Sequence, residues 1–251
     1  MRYFLEFAYL GTQYHGWQRQ PNARSVQEVM EERAATLLGT DELNLVAAGR
    51  TDAGVHARTM VAHFDWPGDE LPQDFLHRYN SFLPEDIAVR GVRRVREETH
   101  ARFDAVRRTY EYVLLQEKDP FWLHGAHYVT QPLDFQAMNR AGALMPSYED
   151  FKCFSRAHTD VKTYICRLER AVWEQAEPHR WVFTITADRF LRNMVRAVVG
   201  TLLLVGRGQL QPQDVKTIIK SRDRSQAGAS VPAKGLYLTE ILYPEGIYLD
   251  G

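Results

Sequence analysis

The stretch 47–60, AAGRTDAGVHARTM, places a carboxylate, Asp52, two residues after Arg50 and two before Gly54. An apolar run ends at Ala48 and another resumes near Met60. Two readings fit such a loop. In the first, Asp52 forms an Asx-turn while Gly49 and Gly54 supply positive φ, and nothing else happens. In the second, Asp52 is a reactive carboxylate on a loop between two short buried strands, with Arg50, His56 and Arg58 beside it. Loops fixed by a rigid sheet are where catalytic groups usually sit. Asp52, His56 and His63 match no known metal-ligand spacing, so no metal is expected. A hydrolase using Asp52 and His56 finds no nucleophile elbow in the chain to support it. A Walker loop and a G-x-G-x-x-G after a strand are absent too, so any enzyme here works with side chains alone.

Three further stretches carry candidate chemistry. In FLRNMVR, Arg192 and Arg196 are four apart, which on a helix puts them on one face. Arg196 sits deeper in the apolar run and calls for a carboxylate or phosphate partner, whereas Arg192 can reach solvent. In RRTYEY, Tyr110 and Tyr112 alternate with their neighbours and face the same way on a strand. Core packing is the ordinary role of such tyrosines; a stacking platform for a base is the alternative. Tyr14, His15, Trp17, Gln18 and Arg19 make an aromatic, polar loop with the look of a surface contact patch.

Net charge is −1, so the chain as a whole is no polycation, yet only six of its 31 basic residues are lysine. Arginine grips phosphate in bidentate fashion and stacks on bases. Residues 90–108 hold seven arginines against three acids, among them Arg102, Arg107 and Arg108. A neutral protein with one basic stripe fits a nucleic acid held in a groove. The longest apolar run, AVVGTLLLVG, is too short to span a bilayer. The start, with Glu6 inside its apolar run, does not read as a signal peptide. Cys153 and Cys166 give neither zinc spacing nor a disulfide framework. A cytoplasmic location is the default expectation.

Hydrophobic residues make up 45% of the 251, enough for one large core or two small ones. RYFLEFAYL reads as a strand. Ser25 and Glu28 form a capping box ahead of Val26, Val29, Met30 and Leu37 at helical spacing. LNLVAA and MVAHFDW are strands flanking the Asp52 loop, PQDFLHRYNSFLP is a helix with proline at both ends, and DIAVRGVRRV is a strand. The order β-α-β-β-α-β is the split pattern of a ferredoxin-like fold. The second part runs through TYEYVLLQ, the helix PLDFQAMNRAGALM, the strand pair TYICRLERAVWEQ and RWVFTITADRF, the buried helix LRNMVRAVVGTLLLVG, an extra helix PQDVKTIIKSR and the strand KGLYLTEILY. The expectation is therefore an α/β (α+β) protein of two ferredoxin-like halves. Their mainly antiparallel sheets are joined across a cleft with a basic floor that suits a nucleic acid, with helices on the outer faces; the resemblance described below implies that this nucleic acid is RNA. Residues 1–104 carry the Asp52 loop, and residues 105–251 carry Tyr110 and Arg196.

The motifs YHGWQRQ, SVQE, AGRTDAGVHA, DIAVR, HARFDAVRRTYEY, FLRNMVRAVVG and KGLYL occur in an order that resembles the tRNA pseudouridine synthase A family over essentially the whole chain. The segment FKCFSRAHTDVKTYICRL matches only loosely. The resemblance implies isomerisation of uridine to pseudouridine in the anticodon stem-loop of tRNA, at positions 38–40, by a homodimer without cofactor. It places Asp52 on the essential nucleophilic aspartate, Tyr110 on the tyrosine that stacks on the target uracil, Arg196 on the base paired with the aspartate, and Arg50 on an arginine that enters the RNA as the base flips. Arg58, His56, Tyr14, Trp17, Arg19, Arg102, Arg107 and Arg108 are expected to contact RNA. A non-catalytic binder of structured RNA with the same fold is the alternative.

Overall fold

The computed structural model of the chain describes residues 1–68, 70–156 and 162–249. The middle of the loosely matching segment, 157–161, lies outside the described residues. Pairing is mostly antiparallel and the fold class is α/β, as the alternation of elements implies. Two compact units divide the chain, Met1–Arg107 with Tyr237–Gly251, and Arg108–Leu236.

In the first unit the order is β1 (Arg2–Tyr9), α1 (Val26–Leu38), β2 (Val46–Ala47), β3 (His56–Asp65), α2 (Phe75–Phe82) and β4 (Ile87–Val95). β1 lies between β4 and β3, antiparallel to both, with Phe4 opposite His63 on one side and Arg93 on the other. β2 pairs antiparallel with the far edge of β3. α1 begins where the sequence says it should, the Ser25 hydroxyl accepting from Glu28 N at 3.2 Å, and ends at the left-handed Gly39. Its inner face buries Val26, Val29, Met30 and Ala34, while Leu37 stays half-buried. α2 is short, and two kinds of bond place it. The Tyr79 hydroxyl donates to Met30 O at 2.7 Å, and the Asn80 side chain exchanges two 2.8 Å bonds with the Val89 backbone.

The second unit contains β5 (Arg107–Leu115, in this unit from Arg108), β6 (His127–Tyr128), α3 (Phe135–Gly142), β7 (Leu168–Glu177), β8 (Arg180–Ala187), α4 (Met194–Gly206) and α5 (Asp214–Ser221). β8 pairs antiparallel with both β5 and β7, and the two-residue β6 runs parallel to β5. Apart from Arg196 and Thr201, α4 is apolar all round, and a helix of that kind belongs in a core. Its sequence lets the chain pass unusually close, as described below. Cys153 and Cys166 are both fully buried, and burial pushes each thiol up to about 12.

The last strand, β9 (Leu236–Leu242), departs from the expected grouping. From Tyr237 on it belongs with the first unit, where it pairs parallel with β3, His56 opposite Tyr237 and Ala57 opposite Leu238. Beyond it, the Tyr243 hydroxyl donates to Ala101 O at 2.6 Å and Leu249 N to Arg94 O at 3.0 Å. A pairing between distant segments leaves no local mark in the sequence. Among the described residues no helix is long and apolar enough to cross a membrane.

Candidate active site

Asp52 is half-buried on the loop between β2 and β3. Val55 N donates to Asp52 O at 3.1 Å, closing a four-residue turn with Gly54 at φ +76. That is the third position of the turn, where positive φ favours glycine. Gly49 is not among the positive-φ residues. A second loop holds the first from outside. Trp17 N donates to Thr51 O at 3.3 Å and Gly54 N to Tyr14 O at 3.2 Å. Gly16, at φ +87, lies so close that a methyl carbon built on it would be 2.3 Å from Thr51 O. One built on Gly11 would be 2.0 Å from Val55 O. From below, the Tyr9 and Thr51 hydroxyls bond at 2.8 Å in a buried position. Asp52 therefore sits on a backbone gripped on both sides.

The aromatic residues of this outer loop face inward. Trp17 is 2% exposed and packs on Phe7 with ring centroids 5.2 Å apart. Tyr14 is 4% exposed and its hydroxyl donates to Asp86 Oδ1 at 2.6 Å; burial, then that bond, raises its pKa. The expectation of a contact patch is corrected for both. Each is a large ring that fills the space under the loop, and the polar residues between them give the loop its surface look. His56 is corrected likewise. It is fully buried, its Nδ1 accepts from Gly11 N at 2.9 Å, and its ring lies 4.7 Å from that of Tyr237. It lies inside the first unit and not at its surface. Arg50, Arg19 and Arg58 are exposed. Arg19 lies 3.5 Å from buried Glu31, and Arg58 covers the Tyr237 ring at 5.2 Å, lining a hollow of about 340 Å³ with Tyr9, Asp86 and Arg90.

Tyr110 and Arg196 belong to the second unit. Tyr110 is half-buried on β5, its ring edge-on to Phe190 at 5.1 Å, whereas Tyr112 two residues on is fully buried and donates to Pro232 O. Arg108 Nη1 donates to Asp188 O at 2.7 Å. α4 begins at Met194, after the left-handed Asn193, so Arg192 precedes the helix and does not share a helix face with Arg196. Arg196 Nε donates to Val231 O at 2.7 Å, and Val231 N returns a 3.2 Å bond to Arg196 O. The segment 227–231 that supplies this partner is pressed on α4. A methyl carbon on Gly200 would be 1.8 Å from Ala229 O, and Gly228 N donates to Thr201 Oγ1 at 2.8 Å. Ser230 Oγ accepts from Asn193 Nδ2 at 2.5 Å and from Arg224 Nη2 at 3.1 Å. The guanidinium of Arg196 is thus aimed by a strap that is itself tied down at both ends. Among the described residues no group of three His, Cys, Asp or Glu is placed to hold a metal ion.

Comparison with known proteins decides the family. The family model described as tRNA pseudouridine synthase matches residues 7–104 and 148–244. The tRNA pseudouridine synthase A of Bacteroides fragilis is 51% identical over 248 residues, covering 98% of both chains. That of Porphyromonas gingivalis is 51% identical over 252 residues, 99% of both, and that of Acetivibrio thermocellus 38% over 245 residues, 95% of this chain. The chain belongs to the tRNA pseudouridine synthase family.

As a tRNA pseudouridine synthase family member, the chain puts its three motif residues, Asp52, Tyr110 and Arg196, on three different supports: a clamped loop, a strand and the first turn of a buried helix. The supports themselves were missed in the sequence. Gly11 and Gly16 have the local pattern of loop breakers, and the segment 224–232 carries no motif of its own. The one usable signal was glycine without an evident turn, at 11, 16 and 200, which marks close backbone approach.

Proposed function

We propose that this chain isomerises uridine to pseudouridine in tRNA, at the anticodon stem-loop. The observation that carries the reading is the grip on the Asp52 loop from both faces, in a chain related over its full length to synthases of that name. The reaction breaks the N1–C1′ bond of uridine, turns the uracil over, and joins C5 to C1′. C5 loses a proton and N1, released from C1′, gains one, so the product is an isomer and no redox partner or phosphate donor enters the balance.

Asp52 acts as the nucleophilic carboxylate. Arg196 is the basic residue assigned to the same chemistry. A base inside a stem cannot reach a half-buried group, so it leaves the stack at a cost of a few kcal/mol. Stacking of the uracil on Tyr110 offsets about 1–3 kcal/mol of that. Arg50, exposed two residues from Asp52, enters the RNA in place of the flipped base. Arg19, Arg58, Arg102, Arg107 and Arg108 serve the phosphates. The active form is a homodimer in the cytoplasm.

Release of tritium from tRNA labelled at uracil C5 tests this. Wild-type protein is expected to release it stoichiometrically with modified uridine, and Asp52→Asn to release none while still binding tRNA. Normal release by Asp52→Asn removes the assignment.

A further inference from the structure

The turn 99–104, Thr-His-Ala-Arg-Phe-Asp, follows β4 in the first unit and exposes the ring of Phe103 at 73%. The backbone beneath that ring is tightly held. Ala101 is buried, its N donates to Nδ1 of buried His63 at 3.1 Å, and its O accepts the Tyr243 hydroxyl at 2.6 Å. His100 N donates to Asp104 Oδ2 at 2.7 Å and Asp104 N to His100 O at 3.1 Å. Arg2 Nη1 donates to Thr99 O at 2.9 Å. The His100 ring backs Phe103 at 4.3 Å, and the Arg102 guanidinium carbon lies 5.8 Å from the Phe103 centroid.

A phenylalanine in water forfeits the benefit of burial. Here the backbone bonds of the turn keep it there, so its exposure is built in. A fixed aromatic ring loses little conformational entropy when it is covered, which makes it a good anchor. What covers it follows from the charge around it. Arg93, Arg96 and Arg102 are exposed on the same stretch of chain, as are Glu97 and Glu98 between the last two, and Arg93 lies over the Tyr248 ring. The guanidinium beside Phe103 is that of Arg102. A flat apolar face next to a guanidinium is complementary to an unpaired base and its adjoining phosphate.

We propose that Phe103 is a stacking platform for an unpaired base of the tRNA substrate, with Arg102 on the adjoining phosphate. It acts apart from the residues assigned to the chemistry, and it rests on tRNA being the substrate.

The test compares Phe103→Ala, Phe103→Tyr and Arg102→Ala with wild type. Tritium release gives KM and kcat. Anisotropy of fluorescent tRNA, read also in the Asp52→Asn background, gives affinity without turnover. Phe103→Ala is expected to weaken binding and raise KM roughly 5- to 100-fold, the range of one base stack. The change in kcat should be far smaller, the melting temperature should hold, and Phe103→Tyr should recover most of the loss. Arg102→Ala should flatten the salt dependence of binding, whereas Phe103→Ala should leave it parallel to wild type. Unchanged affinity in Phe103→Ala overturns the proposal. So does a lower sedimentation mass, which would make the ring a subunit contact. Absence of tritium release by wild type would instead remove the isomerase reading, while the anisotropy arm still decides the platform.

Discussion

Gly16 and Thr51 meet backbone to backbone, at a separation that admits no side chain on the glycine. Gly16→Ala faces two costs, a positive φ that alanine rarely adopts and a methyl 2.3 Å from a carbonyl oxygen that cannot swing away. Strain of the first kind alone costs about 1–3 kcal/mol. The expected outcome is a destabilisation of at least about 2 kcal/mol in urea unfolding. Activity at 25 °C should fall further than the folded fraction does, because the displaced backbone is that of Asp52. Wild-type turnover in a folded Gly16→Ala protein would show that the clamp does not position the carboxylate.

Tyr9 and Thr51 share a buried hydroxyl pair on the other side of the same loop. Taking away one member strands the other, at about 1–2 kcal/mol, whereas taking away both removes that particular penalty. Tyr9→Phe with Thr51→Val should therefore destabilise by clearly less than the sum of the single changes. A strictly additive double-mutant cycle would count against the pair.

Gly200→Ala sets two effects in opposition. Alanine favours a helix interior by about 1 kcal/mol. Overpacking against the Ala229 carbonyl costs about 1–3 kcal/mol, and at 1.8 Å the upper end applies. Net destabilisation is expected, with a rise in tRNA concentration at half-saturation or a loss of kcat, since the strap that must yield is the one that holds Arg196. A stabilised and fully active variant would mean that the strap has slack.

His63 makes the turn below Phe103 sensitive to acid. Its pKa is lowered to about 4 by burial first, then by Arg2 and His100, against the opposite pull of Asp65 and Asp104. An unfolded chain takes up this proton near pH 6.5. The unfolded state therefore gains protons first as pH falls, and stability drops between about pH 6.5 and pH 4. The contribution is on the order of 2–3 kcal/mol across that window. Measured as urea midpoints, the stability of wild type relative to His63→Gln should fall from pH 7 to pH 4.5, because only wild type loses this contribution. A constant difference between the two would refute the assignment.

Local patterns were legible and close approaches were not. The Ser25 cap on Glu28 N, the strand alternation and the order of elements in the first unit follow from short-range spacing, and the structure has them. Asp52 by itself reads as a turn-former; its place on a loop between two strands, beside Arg50, His56 and Arg58, is what makes it a candidate. Trp17, Tyr14 and His56 were misplaced on the surface for one reason. Their polar neighbours in sequence set the expectation, but burial is decided by residues far along the chain, Phe7, Asp86 and Tyr237. The last strand was grouped by sequence proximity, whereas its partner β3 lies some 180 residues earlier. Phe103 passed unnoticed inside a motif, since only coordinates show that it points outward.

The buried, unreactive thiols have a practical consequence. Cys153 and Cys166 are the only cysteines in the chain, both fully buried and both held as thiols far above neutral pH. The thiolate is the species that maleimides capture. The native protein therefore offers a dark background for site-selective labelling. A single Gln73→Cys change, at an exposed position given no part in binding, would carry a dye at one known point, and docking of the RNA could be followed by energy transfer without first stripping the chain of its own sulfur.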